Sequence, residues 1–258
     1  SVTKVIRPIV EFVDRSALND ASVSSVVNSL ESFNSEPIVG DTTLPSSEEL
    51  RRRTIDHFAT QNRAVTQQDY EALVYAMPEK FGSIKRCRVI RDPDSLRRNL
   101  NLYVVSEDAS GKLATTNSTI KENIKTWLGR NKMISDTIDI LDAKIVNIGI
   151  EFEVVVDEET NRFQVLSDCS QAIRDKFAVT PFIGEPLYLT DIYSALNKVN
   201  GVIDTKRVNV VRKTGSSYSN TKFDVDEALS ADGRYLSVPL NVAIELKFPD
   251  SDITGAIS

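Results

Sequence analysis

The chain has 258 residues, of which 41% are hydrophobic and 26% charged, and its formal net charge at pH 7 is −6. A chain of this length forms one or two domains with a core that needs no metal or disulfide. The negative charge disfavours general nucleic-acid binding, which requires a basic face. No apolar run approaches the ~20 residues that cross a bilayer. Because the sequence begins at Ser1 and not at Met, we interpret it as an excised fragment or a processed chain.

The N-terminal residues 1–45 carry the weakest structural signals. A strand is predicted over residues 5–13, at a sheet edge because Pro8 has no amide to donate. Residues 23–30 have helical spacing but are rich in serine and valine, which weakens a helix. Residues 34–45 have the composition of a linker. We therefore expect an irregular N-terminal segment.

A helix is predicted to begin at Ser46. Serine followed by Glu49 three positions later is the pattern of a capping box. The helix then continues through Leu50, Ile55 and Phe58.

An internal repeat is the most informative feature of the sequence. One helix opens at Thr66 and another at Thr190, and each places four apolar residues at positions i, i+3, i+4 and i+7. Each helix stops at a glycine and leads into a strand. The glycines are Gly82 and Gly201, and the strands cover roughly residues 84–91 and 202–212. One helix–glycine–strand unit therefore occurs twice.

The remaining elements complete an α+β fold. Alternating apolar residues predict strands at 100–104, 148–156 and 238–248, and helical spacing predicts helices at 120–128 and 166–177. This order predicts two small ferredoxin-like α/β sandwich units after the N-terminal segment. The expected division is 1–45 for the segment, 46–157 for the first domain and 158–258 for the second. Cys87 and Cys169 lie at apolar positions and are predicted to be buried free thiols.

No residue pattern in the sequence predicts catalysis, a metal site or a cofactor. His57 is the only histidine, and a surface position in its helix is the favoured interpretation. Aspartate pairs such as Asp92 and Asp94 lack the pattern of a calcium loop and favour turns. Glu151 and Glu153 flank Phe152 and are expected on one exposed strand face. We therefore expect that the chain is not an enzyme; a hydrolase with these two carboxylates is the alternative.

A basic cluster stands out in the first copy of the repeat. Strand alternation puts Arg86 and Arg88 on one face, opposite Cys87 and Val89. A solvated face or a contact with an acidic protein is favoured, because stacking aromatics do not interleave with the cluster. A nucleic-acid-binding module is the less favoured alternative. The cluster comprises Lys80, Lys85, Arg86, Arg88, Arg91, Arg97 and Arg98.

A long loop at residues 213–236 carries three aromatic residues, Tyr218, Phe223 and Tyr235. Loops of this length are usually functional or disordered. Exposed aromatics anchor protein interfaces, although packing back onto the parent domain explains them equally well. Together with Arg86 and Arg88, these three residues are the candidate interface residues.

Several stretches, of which the first runs from Gly40 to Arg53, resemble the baseplate J-like family of contractile tails. The run Arg-Ala-Val-Thr-x-x-Asp-Tyr-Glu from Arg63 to Glu71 is the most specific, and Gly184 to Tyr193 with Gly201 to Asp204 resembles the C-terminal part of that family. The likeness covers roughly residues 40–213. Within the family, the chain is most similar to a C-terminal fragment of an inner-ring baseplate wedge subunit of contractile-tailed bacteriophages.

The resemblance implies a structural role. A protein of this kind self-associates as a homodimer or higher ring, binds other wedge subunits around the tail hub and rearranges when the sheath contracts. It implies assembly in the host cytoplasm and a final place in the virion, with no catalytic residues, cofactor, nucleic acid or membrane. The alternative is the equivalent baseplate component of a phage-like contractile injection system.

Overall fold

The computed structural model describes residues 19–29, 45–60, 63–92 and 99–258. The strand predicted at residues 5–13 lies outside them, as does nearly all of the predicted linker. The contacts divide the chain into two compact units, Ser1–Val39 and Gly40–Ser258. In the first unit, a helix over Asp20–Ser29 (α1) buries none of its side chains.

The second unit combines helices and strands, which confirms the α+β class. Its α-helices are Ser47–Thr60 (α2), Gln67–Tyr75 (α3), Ser118–Gly129 (α4), Arg162–Lys176 (α5), Leu189–Leu196 (α6), Val225–Ala228 (α7) and Pro249–Asp252 (α8), with a 3-10 turn at Glu79–Phe81. Its strands are Arg86–Arg91 (β1), Asn99–Glu107 (β2), Leu113–Ala114 (β3), Thr137–Asp142 (β4), Lys144–Val156 (β5), Leu187–Tyr188 (β6), Val202–Arg212 (β7), Tyr235–Leu236 (β8), Val242–Glu245 (β9) and Ile253–Ile257 (β10). Among the described helices, none is long and apolar enough to cross a bilayer.

The strands form two mixed sheets and a short ribbon. In the first sheet, β2 pairs with β1 and β3 antiparallel and with β4 parallel. In the second sheet, β5 pairs with β7 antiparallel and with β9 and β10 parallel. The ribbon joins β6 and β8. The chain passes from the first sheet to the second at Ala143, between β4 and β5.

Both copies of the predicted repeat are present. α3 is followed by Gly82 with a φ of 98°, and α6 by Gly201 with a φ of 90°. At such values glycine meets no steric penalty from a Cβ atom, so the chain can turn from helix to strand. β1 and β7 follow, and each runs antiparallel to a longer strand. In the first copy, Pro78 and the 3-10 turn lengthen the connection.

A tyrosine in each repeat helix fixes the strand that follows it. The amide of Cys87 in β1 donates to the hydroxyl of Tyr75 at 3.0 Å, and the amide of Val208 in β7 donates to the hydroxyl of Tyr193 at 3.0 Å. The carboxylate of Glu71 also accepts the amide of Val89 at 2.9 Å. These side chains bond to the outer edges of the two sheets.

Apolar clusters form the core, and one of them joins the two sheets. α5 and α6 pack on β5, β7 and β10, and both predicted free thiols are confirmed as buried. A smaller cluster lies between the sheets, and it therefore joins the two halves of the unit. Its buried members are Val105, Leu113, Ala143, Ile183 and Ala243. The predicted domain boundary at residues 157 and 158 lies within this same compact unit.

The strand predicted over residues 238–248 is wrong in extent. Only Val242–Glu245 is a strand, and it follows a turn in which the Val242 amide donates to the Pro239 carbonyl at 2.9 Å. All four of its residues are buried. Val242 and Ile244 belong to one apolar cluster and Ala243 to another, because β9 is covered on both faces.

The first turn of α3 holds a capping box. The Thr66 hydroxyl accepts the Asp69 amide at 3.2 Å, and the Asp69 carboxylate accepts the amides of Thr66 and Val65 at 2.8 and 3.1 Å. Burial alone would raise the pKa of Asp69, but the hydrogen bonds from Thr66 and Val65 outweigh it and lower the pKa below the ordinary 3.8. The ionised carboxylate therefore stabilises this end of the helix.

We expect Asp69→Asn to lower the free energy of unfolding by about 1 kcal/mol at neutral pH, the typical value of a helix cap. Urea unfolding of the full chain checks this, with the exposed Glu122→Gln as the control. Because the folded pKa of Asp69 lies below the unfolded one, the contribution is complete above pH 3.8 and is lost as the pH falls through the folded pKa. A difference that grew on acidification would contradict the account.

Candidate interaction surface

Helix α2 turns a polar stripe toward the body of the protein. The stripe has the spacing i, i+3, i+4, i+7 and i+11, which in most surface helices is apolar. Thr60 is buried, and Glu49 and Arg53 are partly buried. The guanidinium of Arg52 lies 4.5 Å from the centre of the Phe182 ring. The five residues of the stripe are Glu49, Arg52, Arg53, Asp56 and Thr60.

The stripe is held by a buried ion pair between α2 and β1. Arg86 is only 1% exposed, and its guanidinium meets the carboxylate of Glu49 at 2.6 and 3.3 Å. The same guanidinium donates to the carbonyls of Thr180, at 3.1 and 2.9 Å, and Lys85, at 3.2 Å. All five of its N–H groups therefore have acceptors.

Two further cations complete the network around Glu49. Arg53 donates to the Glu49 carboxylate at 2.6 Å and stacks 4.2 Å from the centre of the Tyr75 ring. The guanidiniums of Arg86 and Arg52 both lie over the Phe182 ring, at 4.6 and 4.5 Å from its centre. Burial would raise the pKa of Glu49, but the ion pairs with Arg86 and Arg53 outweigh it and hold the pKa below 4.5.

Three apolar side chains of α2 lie outside the polar stripe and point to solvent. The side chains of Leu50, Ile55 and Phe58 are 50%, 58% and 86% exposed. The helix is therefore amphipathic in the reverse sense to an ordinary surface helix. Ile55 and Phe58 are three positions apart and therefore neighbours on the helix surface, and exposed apolar patches mark protein-binding surfaces. We call these three residues the outer face of α2.

Half of the capping box predicted at the start of α2 is present. The Ser46 hydroxyl accepts the Glu49 amide at 3.2 Å, as the pattern requires. The Glu49 carboxylate, however, is engaged by Arg53 and Arg86. Glu49, which the sequence pattern presents as part of a helix cap, therefore anchors α2 to β1. His57 is exposed on this helix, as predicted.

A cavity of about 350 Å³ lies beneath α2, beside α3 and β1. Its walls include Glu71 and Cys87, and burial raises the pKa of both side chains. Burial thus favours the protonated thiol, the opposite of the activated thiolate of catalytic cysteines. In the part of the chain that the structure describes, no three histidine, cysteine, aspartate or glutamate residues are grouped to hold a metal ion.

The structure disperses the five predicted interface residues. The Tyr218 hydroxyl donates to Asp252 at 2.7 Å, and Phe223 packs against an apolar cluster, so both pack back onto the unit. Tyr235 is 41% exposed, with its ring 6.1 Å from that of Tyr188.

The two predicted interface arginines do not form a solvated face. Arg86 is buried, and Arg88 donates to the Ile183 carbonyl at 2.7 Å. In the same basic cluster, buried Lys85 lies 3.2 Å from the carboxylate of Glu107. The roles of Arg86, Arg88 and the three loop aromatics in binding a partner stay predictions. The outer face of α2 could not be predicted from local sequence patterns. Its exposure depends on the pairing of Glu49 with Arg86, which is distant in sequence.

Comparisons with known proteins give matches among solved structures. No protein-family model matches the chain, and no curated protein matches it. A solved structure that is similar to it is the sixfold-symmetrised cryo-EM structure of the anti-feeding prophage baseplate, with 10% identity and a TM-score of 0.45. The alignment covers 83% of this chain and 42% of the other chain, so this chain spans less than half of its length. A likeness at this level does not establish a shared function.

We expect Glu49→Gln to destabilise the unit by about 3 kcal/mol, because it leaves the buried Arg86 without an anion. Urea unfolding of the full chain measures this, and Glu48→Gln, on the exposed neighbour, serves as the control with an expected change below about 0.5 kcal/mol. The stabilisation by Glu49 is complete above pH 4.5 and is lost as the pH falls through its lower folded pKa. Equal effects of the two substitutions would refute the anchoring role.

Proposed function

We propose that this chain is a structural subunit of a contractile-tail baseplate that binds other wedge subunits and further copies of itself around the tail hub. The observation that carries the proposal is the orientation of α2. Its charged stripe is fixed to the body by Glu49 and Arg86, while Leu50, Ile55 and Phe58 are left in water. Burying such side chains against a partner stabilises a complex by roughly 1.5–3 kcal/mol for each that becomes fully covered.

The residues that carry the family resemblance support a scaffold role. Between Arg63 and Glu71, the polar groups of Thr66 and Asp69 cap α3, and the Tyr70 hydroxyl donates to Asp136 at 2.7 Å. Glu71 binds the backbone of β1. These side chains fix the shape of the backbone, which is what a subunit of a repeated assembly needs. We further propose that the chain has no catalytic activity.

The nucleic-acid alternative is weakened by the pairing of its key cations. Lys85 and Arg86 lie in the middle of the basic cluster, and each pairs with a carboxylate of the same chain. Neutralised charges of this kind contribute little to phosphate binding. The proposal also extends to a place in the virion tail and to rearrangement during sheath contraction, as the resemblance implies. A contractile injection system would use the same surfaces.

We expect the chain to be present in purified contractile particles at a constant ratio to the sheath protein. Replacing Ile55 and Phe58 together by glutamate should reduce its incorporation at least tenfold, because charged side chains cannot be buried in an apolar contact. Quantitative mass spectrometry of particles assembled with each variant measures the ratio.

Phe163→Glu is the matched control, because Phe163 on α5 has the same 86% exposure as Phe58. It should be incorporated like the wild type. Particles that lack the wild-type chain would contradict the proposed function. Equal incorporation of the glutamate variant and the control would show that the outer face of α2 does not bind a partner in the particle.

A further inference from the structure

Among the described residues, the outer edge of β4 has no partner strand, and we call it the open edge. β4 pairs with β2 along its inner edge, from Asn99 opposite Thr137 to Val104 opposite Asp142. In a parallel pair, every second residue directs its N–H and C=O groups away from the partner strand. From Thr137 to Leu141, no described residue pairs with these outward backbone groups. Open edges of this kind template pairing with another strand.

The other outer strands of the two sheets differ from β4. The hydroxyl of Tyr75 and the carboxylate of Glu71 accept amides of β1, and the hydroxyl of Tyr193 accepts an amide of β7. Of the other outer strands, β9 accepts the Gly184 amide at the Val242 carbonyl, and β3 is only 2 residues long. The outer strand β10 contains Gly255, and glycine weakens strand pairing. β4 is therefore the edge best suited to accept a further strand.

A groove accompanies the open edge. A cavity of about 360 Å³ lies between α4 and β4, with Ile138, Ile140 and Leu141 in its wall. The side chain of Leu141 is 41% exposed. An added strand would place alternate side chains against Ile138 and Ile140, which share one face of β4, whereas Leu141 lies on the opposite face. The groove therefore favours a segment with apolar residues at alternate positions.

The charges at the groove indicate what else the segment carries. Lys121 lies 2.6 Å from Asp142 and is neutralised by it. Lys125 is exposed and forms no ion pair with any described residue. Glu122 and Asp139 line the same groove, so the apolar wall is accompanied by charges of both signs, and Lys125 is the cation that no described carboxylate neutralises. A carboxylate on the incoming segment would complement Lys125.

We propose that the edge of β4 accepts an extended segment from a different subunit of the assembly, which adds to the first sheet as a strand. This inference rests on the proposed function. The segment has apolar residues at alternate positions and a carboxylate that reaches Lys125. Its backbone hydrogen bonds supply affinity, and the groove sets its register.

A second copy of β4 fits this edge less well than a different subunit. The aspartates of β4 are already engaged, because Asp139 accepts a hydrogen bond from Asn99 at 3.0 Å and Asp142 pairs with Lys121. Another β4 strand would therefore bring no free carboxylate for Lys125. It would also bring a second Asp139 toward the first, and like charges on adjacent strands repel.

Hydrogen–deuterium exchange of the full wild-type chain tests the proposal, alone and in assembled contractile particles. The outward amides of Thr137 to Leu141 should exchange quickly in the isolated chain and roughly tenfold or more slowly in the particle. The inward amides are already paired with β2 and should change little. The Cys87 and Val89 amides of β1, which Tyr75 and Glu71 accept, are an internal control and should not change.

The outcomes separate this inference from the proposed function. Incorporation of the chain is measured first, and a chain absent from the particles defeats the proposed function itself. An incorporated chain whose β4 amides exchange as quickly as in solution overturns the strand addition. Protection that appears in the isolated chain as its concentration rises assigns the edge to a second copy and overturns the choice of partner.

Discussion

The ion pair between Glu49 and Arg86 is the contact on which the rest of this architecture depends. A buried guanidinium is costly unless its charge is paired and its donors are satisfied. Here one carboxylate and two carbonyls supply every acceptor, and these groups come from α2, from Lys85 and from Thr180. The Arg86 side chain therefore joins its own strand to two segments that are distant in sequence.

The orientation of α2 follows from that pair. Glu49 must face Arg86, so the residues at helical spacing from it also face the body, and these are Arg52, Arg53 and Asp56. The apolar side chains of α2 are left on the other side. The exposure of these apolar side chains is therefore a consequence of how the helix is anchored, and the proposed binding role uses a surface that the described residues leave exposed.

The sequence predicts the local elements well and the long-range contacts poorly. The helices after Thr66 and near Thr190, their glycines and their strands were predictable, because each depends on periodicity within about 20 residues. Alternation also placed Arg86 and Arg88 on one strand face. Whether that face meets water depends on Glu49, a distant residue whose own local signal is that of a helix cap.

Other features were not predicted correctly for the same reason, because they too depend on contacts between residues that are distant in sequence. The alternation from Val238 to Phe248 predicts one long strand, but the turn at Pro239 shortens it and two apolar clusters cover both faces of β9. The local sequence around Tyr218 and Phe223 does not indicate whether these aromatic side chains pack against the protein or face solvent. The open edge of β4 is invisible in sequence, because it depends on which strands the fold leaves unpaired.

A double-mutant cycle between Glu49 and Arg86 tests the central claim most directly. The free energies of unfolding of Glu49→Gln, Arg86→Gln and the double variant are compared with that of the wild type. The account predicts a coupling energy of about 2 kcal/mol or more, since Arg86 is buried and the partly buried Glu49 is the carboxylate that compensates its charge. Additive effects, with a coupling below about 0.5 kcal/mol, would show that the two side chains do not depend on each other and would contradict the anchoring of α2.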